Sequence, residues 1–539
     1  MAAMSQNPSR SWQERLAQRH PRLVEAALAM TENDLPRAEP LLREHLKERP
    51  EDVEAIRLFA ELAGRLGRYR DAENLLRRAV ELAPQFTAAR SNLALVLYRQ
   101  NRPSEALEEL ERLVAEEPGN PAHGNLMAAA LGRIGEFERA IETYERVLAK
   151  VPEQPRIWTS LGHVLKTVGR QADCIAAYRK AIELLPSLGE AWWSLANLKT
   201  FRFTPDEVAA MRAALADDDL PDDSRVQIDF ALAKALEDAG DADGAFAHYA
   251  RGNALRRKAE PWDADETTRF VDRLIEIATP EFFATRAGQG CPSAAPIFVL
   301  GMPRAGSTLV EQILSSHSQI EGTSELPDIP ALARREEDYP LSLPRLTPEQ
   351  LLRRGEEYLK RTAIQRKTQR PLFIDKLPNN WVHAVFIRLI LPNAKLVDAR
   401  RHPLGCCFSN FKQHFAKGQA FSYDLADMGR YYADYVRLMA HLDRVQPGKV
   451  HRVIYERMVD DTEAEVRSLL HFIGVPFEAA CLSFHETERA VRTASSEQVR
   501  QPIFRDGTEA WKSFAPHLGP LEAALGPVLA AYPGIPEAW

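Results

Sequence analysis

The chain has 539 residues, of which 45% are hydrophobic and 27% charged, the balance of an ordinary globular protein. At about 150 residues per domain, that length allows two to four units. A formal net charge of −7 excludes bulk nucleic-acid binding, which shows as a basic excess.

From the N-terminus, "MAAMSQNPSRSWQERLAQRH" lacks the basic-then-apolar pattern of a secretory leader, and no run of about 18 apolar residues appears anywhere. The cysteines are Cys174, Cys291, Cys406, Cys407 and Cys481, an odd set without a C-x-x-C pair. A reduced, cytoplasmic protein with no membrane or nucleic-acid partner is expected.

Pro50, Pro84, Pro118, Pro152 and Pro186 recur every 34 residues. Twelve positions before each stands a small residue: Ala38, Ala72, Ala106, Ala140 or Cys174. Gly67, Asn101, Gly135 and Gly169 lie seventeen positions before the last four, and Trp158 and Trp192 lie six after the last two. The small residue lets two helices approach, Gly or Asn turns the chain, and proline ends the second helix. The pattern resembles the tetratricopeptide repeat. "DFALAKALEDAGDADGAFAHYARGNALRRKA" (Asp229 to Ala259) reads as a degenerate closing repeat with Gly240, Ala245 and Tyr249. An all-α tetratricopeptide solenoid is expected over residues 1–283. It is read either as a groove for a peptide or protein acceptor or as an appendage that stabilises or dimerises its neighbour. A small, unpatterned linker is expected over 284–295, and a second domain over 296–539.

That second domain alternates strand and helix. Ile297–Leu300, Pro371–Asp375, Ala394–Arg400 and Lys449–Tyr455 read as strands separated by helix-length segments, the pattern of a parallel α/β sheet. After the first strand come Gly301, four residues, Gly306, Ser307 and Thr308, then an amphipathic helix. This matches the phosphate loop G-x-x-x-x-G-K-[ST] except that serine replaces lysine. Backbone N–H groups of Gly306, Ser307 and Thr308 at a helix start attract an anion. Without the lysine, a 5′-phosphate ester bearing a singly charged sulfuryl group suits the loop better than a triphosphate with Mg²⁺. Arg304 is placed to supply planar two-pronged contacts.

"PRAGST" (Pro303 to Thr308) resembles the 5′-phosphosulfate loop of sulfotransferases, especially the tyrosylprotein type with P-R-S-G-T-T. "RHPLGCCFS" sets Arg401 eight residues before Ser409 after a strand and is similar to the family's 3′-phosphate motif. An extended strand would point the adjacent Arg400 the other way. "DKLPNN" resembles the segment with the family's catalytic lysine, here Lys376; "TASSEQVRQPIF" resembles S-T-D-Q-V-I-K-P and aligns Ser495 with a donor contact.

The resemblance therefore implies a 3′-phosphoadenylyl sulfate (PAPS) site formed by Arg304, Ala305, Gly306, Ser307, Thr308, Arg401, Ser409 and Ser495. Arg500, Arg505 or Lys512 takes the contact of a family lysine that is replaced here by Ala510 before Trp511. Transfer needs a base and positive charge on the bridging oxygen. Glu325 is the expected base, by a one-residue shift against the family's G-E-E segment, with Glu321 as the alternative. Arg304 and Lys376 are expected to supply the charge. His317 reads as a packing residue and His402 as a shaping one; no metal is expected, Asp375 being the best dissenting ligand. The expected activity is sulfuryl transfer to a hydroxyl, a peptide or protein tyrosine first. The alternatives are a saccharide or small-molecule acceptor, a phosphate-loop kinase, and a non-catalytic scaffold.

Overall fold

The computed structural model describes residues 20–415, 418–487, 498–503 and 508–537. Packing divides them into two units, one running through Leu184 and one from Leu185 onward that also includes the turn Thr167–Gly169.

The first unit is an array of helical hairpins, from Pro21–Thr31 paired with Leu35–Glu48 through to Pro155–Val168 paired with Gln171–Leu184. Each periodic proline follows the second helix of its pair. Ala38, Ala72, Ala106, Ala140 and Cys174 are fully buried where the helices meet, as their small size requires. Gly67, Asn101 and Gly135 turn the hairpins at φ of 74°, 61° and 92°, a left-handed conformation that Gly and Asn adopt most readily. Asn33, at φ 59°, does the same for the first pair, seventeen residues before Pro50. Trp158 Nε1 donates to the Pro152 carbonyl at 2.8 Å, which ties a repeat start to the preceding proline.

The second unit begins with helices. Asp222–Asp238 and Ala242–Ala259 form the expected closing hairpin: Gly240 turns it at φ 83°, and Ala245 and Tyr249 are buried. A Cβ on Gly252 would lie 2.9 Å from the Phe230 ring, so glycine sets the closeness of the pair. This hairpin is packed on the α/β region. Asn253 Nδ2 donates to the Phe411 carbonyl at 2.8 Å, and Phe246 stacks on His517 with ring centres 4.3 Å apart. The stretch expected as a linker is laid against the sheet's helical layer: Cys291 N–H donates to the Ile390 carbonyl at 2.8 Å.

Five parallel strands form one sheet: β1 (Pro296–Gly301), β2 (Ile320–Ser324), β3 (Leu372–Asp375), β4 (Lys395–Arg400) and β5 (Val450–Ile454). Their order is β2-β3-β1-β4-β5. Both faces are covered, and Ile297, Val299, Ile374 and Val397 join Val310, Ile313 and Leu314 of the helix Ser307–Ser315 in one core. Four of the strands match sequence expectation. β2 is additional, an edge strand reading "IEGTS" whose glutamate and glycine disguise it. Among the described residues no helix is long and apolar enough to cross a membrane.

Candidate functional site

β1 sits centrally, and the chain leaves it toward β2 and β3 on one side and β4 and β5 on the other. Such a switch in strand order opens a crevice at the carboxyl ends, where ligands of α/β sheets bind. The phosphate-like loop follows β1 and the Arg401 motif follows β4, so both predicted motifs lie at that crevice.

Gly301 ends β1 at φ 134°, and a Cβ there would lie 2.3 Å from the Ala399 carbonyl oxygen; only glycine lets the two strands end this close. The loop is then anchored from the helix Pro403–Phe411: Asn410 Nδ2 donates to the Pro303 carbonyl at 2.7 Å, and the Cys406 thiol to the same oxygen at 3.4 Å. Arg304 has φ 64° and Gly306 φ 97°. A Cβ on Gly306 would meet the Tyr455 ring at 2.8 Å. Gly306 gives the helix Ser307–Ser315 no side-chain cap.

The two motifs interlock. Arg304 Nε donates to Ser409 Oγ at 3.2 Å and Nη2 to Gln498 Oε1 at 3.5 Å, while Arg401 Nη1 donates to the Arg304 carbonyl at 3.3 Å. Burial, with Arg401 beside it, lowers the Arg304 pKa to about 10, so it stays cationic at neutral pH. Arg401 lies over the Tyr455 ring, 4.9 Å from its centre. Arg400 points the other way, buried in an ion pair with Asp398 at 3.0 Å, as strand alternation dictates.

A cavity of about 330 Å³ opens here, lined by Arg304, Gly306, Ser307, Thr308, Arg401 and Ser409, with Tyr455, Gln498 and Trp511. Its lining holds six cations, Lys199, Arg202, Lys234, Arg304, Arg401 and Lys412, against two carboxylates, Glu237 and Asp238. A chain of net charge −7 thus concentrates positive charge at one place. Trp511 forms part of the wall by stacking on His402, ring centres 5.1 Å apart, and His402 N–H donates to Glu456 at 3.0 Å. His402 is a shaping residue, as expected.

Lys376 and Glu325 form a second polar pair. β3 flanks β1 opposite β4, and Lys376 follows its last residue. Lys376 is 1% exposed, and its Nζ meets Glu325 Oε1 at 2.5 Å. β2 slips register between Gly322 and Ser324, a bulge of the kind that re-aims a following side chain, and Lys376 N–H holds the Ser324 carbonyl at 3.2 Å. Neither residue is among those lining the cavity, nor are Ala305 and Arg500. Arg500 ends a short turn whose Gln498 and Val499 face the cavity. Lys512 donates to Glu509 at 2.5 Å and is also outside the lining. Ser495 and Arg505 lie outside the described residues.

The competing candidates have structural partners. Buried Glu321 accepts the backbone N–H groups of Lys367 and Thr368, the latter at 2.8 Å. His317 is fully buried, with Nε2 at 2.9 Å from the Pro476 carbonyl. Asp375 accepts from the Tyr358 hydroxyl at 2.9 Å, and burial raises its pKa well above the carboxylate range, favouring the neutral acid. Sequence reasoning missed Tyr455, although it directly follows a strand at the crevice side. It also missed Trp193, Lys199, Lys234 and Lys412, which no local motif marks.

Residues 296–479 match the model of the Sulfotransferase family, residues 6–157 that of the cytochrome c-type biogenesis protein H TPR domain, and residues 155–187 a tetratricopeptide repeat. An uncharacterised protein of Aquifex aeolicus is 33% identical over 60% of this chain and 44% of its own. Protein-tyrosine sulfotransferase A of Caenorhabditis elegans is 23% identical over 43% of this chain and 65% of its own. The chain thus spans less than two thirds of the length of either relative. Among solved structures, MamA of Desulfovibrio magneticus is 21% identical, covering 30% of this chain and 92% of that one at a TM-score of 0.29. Residues 296–479 are a sulfotransferase-family domain, and tetratricopeptide repeats precede it in the chain.

Proposed function

We propose that this chain transfers a sulfuryl group from PAPS to a hydroxyl, with a peptide or protein tyrosine as the favoured acceptor. The observation that carries the reading is the Arg304–Ser409 hydrogen bond, 3.2 Å, which joins the 5′-phosphosulfate loop to the 3′-phosphate motif over one cationic cavity. A donor with phosphate at both ends of its ribose fits a site whose cations converge from both motifs. ATP has no 3′-phosphate and would leave the Arg401–Ser409 side without its anion.

In this reading the first turn of the helix Ser307–Ser315 holds the 5′-phosphate, and Arg401 and Ser409 hold the 3′-phosphate. Glu325 takes the proton from the acceptor hydroxyl as that oxygen bonds to sulfur. Arg304 and Lys376 stabilise the electron pair left on the 5′-phosphate oxygen when the S–O bond breaks. The 2.5 Å contact of Lys376 Nζ with Glu325 Oε1 holds the carboxylate in place until an acceptor separates them. The products are the sulfated acceptor and 3′,5′-ADP. The tyrosine preference rests on the likeness to protein-tyrosine sulfotransferase A and on a repeat array of a type suited to extended peptides.

The test is mass spectrometry of peptide, saccharide and phenolic acceptors incubated with isotopically labelled donor, alongside calorimetry of nucleotides. Label on a tyrosyl peptide and tight 3′,5′-ADP binding are expected. Tight ATP binding without 3′,5′-ADP binding overturns the donor, and label only on saccharides overturns the acceptor.

A further inference from the structure

The Lys376–Glu325 pair leaves the sheet at one rung of its ladder. Asp375 ends β3 and faces Ser324 of β2 in register, and the residue that follows each is a member of the pair. Whatever fixes that rung fixes where both side chains start. Asp375 is a fully buried carboxyl that the reaction as read above does not use. It accepts from the Tyr358 hydroxyl at 2.9 Å. Burial raises its pKa well above the carboxylate range, against the opposing pull of that hydroxyl and of the N–H of Leu326, the residue after Glu325. A buried acid kept beside a reaction centre points to a task in it.

One helix holds both sides of the rung. Tyr358 lies in Pro348–Thr362 and is fully buried, its ring centre 5.5 Å from that of Phe298 in β1 and 6.4 Å from that of Phe373 in β3. Phe373 and Asp375 share a face by strand alternation, so the ring packs on that face while its hydroxyl reaches the carboxyl at the strand end. Arg361, three residues on and therefore on the same side of the helix, donates from Nε to Asp328 Oδ1 at 2.9 Å. Asp328 lies three residues past Glu325. The helix is itself fixed. Thr347 and Gln350 form a reciprocal cap at its start, and a Cβ on Gly355 would lie 2.3 Å from the Ile390 carbonyl oxygen, so the helix is pressed against that backbone. Neither Tyr358 nor Asp375 is among the residues lining the cationic cavity.

We propose that Tyr358 is a positioning residue for sulfuryl transfer: by holding Asp375 it fixes the rung from which Lys376 and Glu325 reach the reacting atoms. Arg361 steadies the far flank of Glu325 through Asp328. The inference rests on the catalytic reading of that pair given above. Two groups that must meet an acceptor hydroxyl and a bridging oxygen tolerate little play, since a displacement of about 1 Å can cost about 10²-fold in rate. The bond from the Tyr358 hydroxyl removes such play without touching the donor.

The experiment is single-turnover transfer from labelled PAPS to a tyrosyl peptide by the full chain and its variants, with calorimetry of 3′,5′-ADP on the same samples. Tyr358→Phe, which keeps the ring packing, should lower the rate by about 10- to 100-fold and leave 3′,5′-ADP affinity unchanged, which also reports an intact fold. Asp375→Leu should lose as much, and Asp375→Asn, which keeps an oxygen for the hydroxyl, should recover most of that loss. In the Lys376→Ala background Tyr358→Phe should cost little more, because it acts through the pair; a full further loss there overturns the proposal. An unchanged rate in Tyr358→Phe while Lys376→Ala is slowed overturns the positioning role alone. A loss of 3′,5′-ADP affinity that matches the loss of rate makes Tyr358 a packing residue and overturns it too. A wild-type chain that transfers nothing, or a Lys376→Ala variant that transfers normally, overturns the reading on which this rests, and this proposal with it.

Discussion

Replacing Arg304 by glycine separates what this residue does for the reaction from what it does for the fold. Its backbone sits at φ 64°, where glycine relieves about 1 kcal/mol of strain. The substitution also removes a desolvated cation placed beside Arg401, whose joint effect lowers the Arg304 pKa to about 10. Against these gains stand the bonds to Ser409 at 3.2 Å and Gln498 at 3.5 Å, the second at the limit of a useful hydrogen bond, together about 1–2 kcal/mol. The strain relief and the loss of these two bonds are of similar size, and on their account the melting temperature should move by no more than about 2–4 °C. Transfer should not survive. Losing one preorganised donor at a developing oxyanion costs about 2.7–4 kcal/mol, or 10²- to 10³-fold in kcat. Arg304→Ala should lose as much activity but melt below Arg304→Gly, because alanine keeps the strained φ. Single-turnover transfer with labelled donor and differential scanning calorimetry read the two effects separately. Transfer within about threefold of wild type in Arg304→Gly would sink the catalytic assignment. Equal melting of the glycine and alanine variants would sink the strain argument.

The two glutamates at β2 should part company. Glu325→Gln should lower kcat by about 10²- to 10⁴-fold and also lower the melting temperature, because the buried Lys376 ammonium keeps an acceptor but loses its counter-charge. Glu321→Gln should instead cost about 1–2 kcal/mol of stability by weakening its hold on the Lys367 and Thr368 N–H groups while transfer is retained. Gly306→Ala should abolish nucleotide binding measured by calorimetry, because a Cβ at φ 97° meets the Tyr455 ring at 2.8 Å. Asp375→Asn should stabilise the chain at pH 7, because the neutral amide escapes the burial that disfavours an ionised carboxylate at this position. The folded pKa of Asp375 is raised, so its contribution is fully present below the unfolded value near 4 and is lost as pH rises. The asparagine advantage in thermal melts should accordingly vanish by about pH 4.

What the sequence made legible is what depends on local backbone chemistry. The 34-residue spacing of prolines, the small residues Ala38 to Cys174 and the turn residues Gly67 to Gly135 each encode a conformation or a close approach, and the structure realises each one. Gly301 and Gly306 belong to the same class, and strand alternation by itself separates Arg400 from Arg401. The misses are tertiary. β2 is an edge strand of only five residues with Glu321 in it, and nothing local shows that this carboxylate is committed to a turn forty-odd residues later. Lys199 follows a short helix as an ordinary-looking lysine; its bond to Gln413, more than two hundred residues away, has no local signal.

Strain and charge meet at the same place, and that coincidence has a physical logic. Two cations, Arg304 and Lys199, adopt left-handed backbone in segments about a hundred residues apart, and both line one cavity. Neither conformation is favoured locally, so each must be held by neighbours: Arg304 by Ser409 and Arg401, Lys199 by Gln413 and Trp193. Those neighbours include the two ends of the helix Pro403–Phe411, with Arg401 before it, Ser409 in its last turn and Gln413 just after. That helix therefore works as the ruler of the site, setting the distance between the cation at the loop and the cation at the opposite wall. An anion bound against Arg304 and Arg401 meets side chains already held in place, which is the condition under which fixed charges act most strongly. Because the lining carries four more cations than carboxylates within a chain of net charge −7, binding there draws on a local field opposed to that of the rest of the molecule.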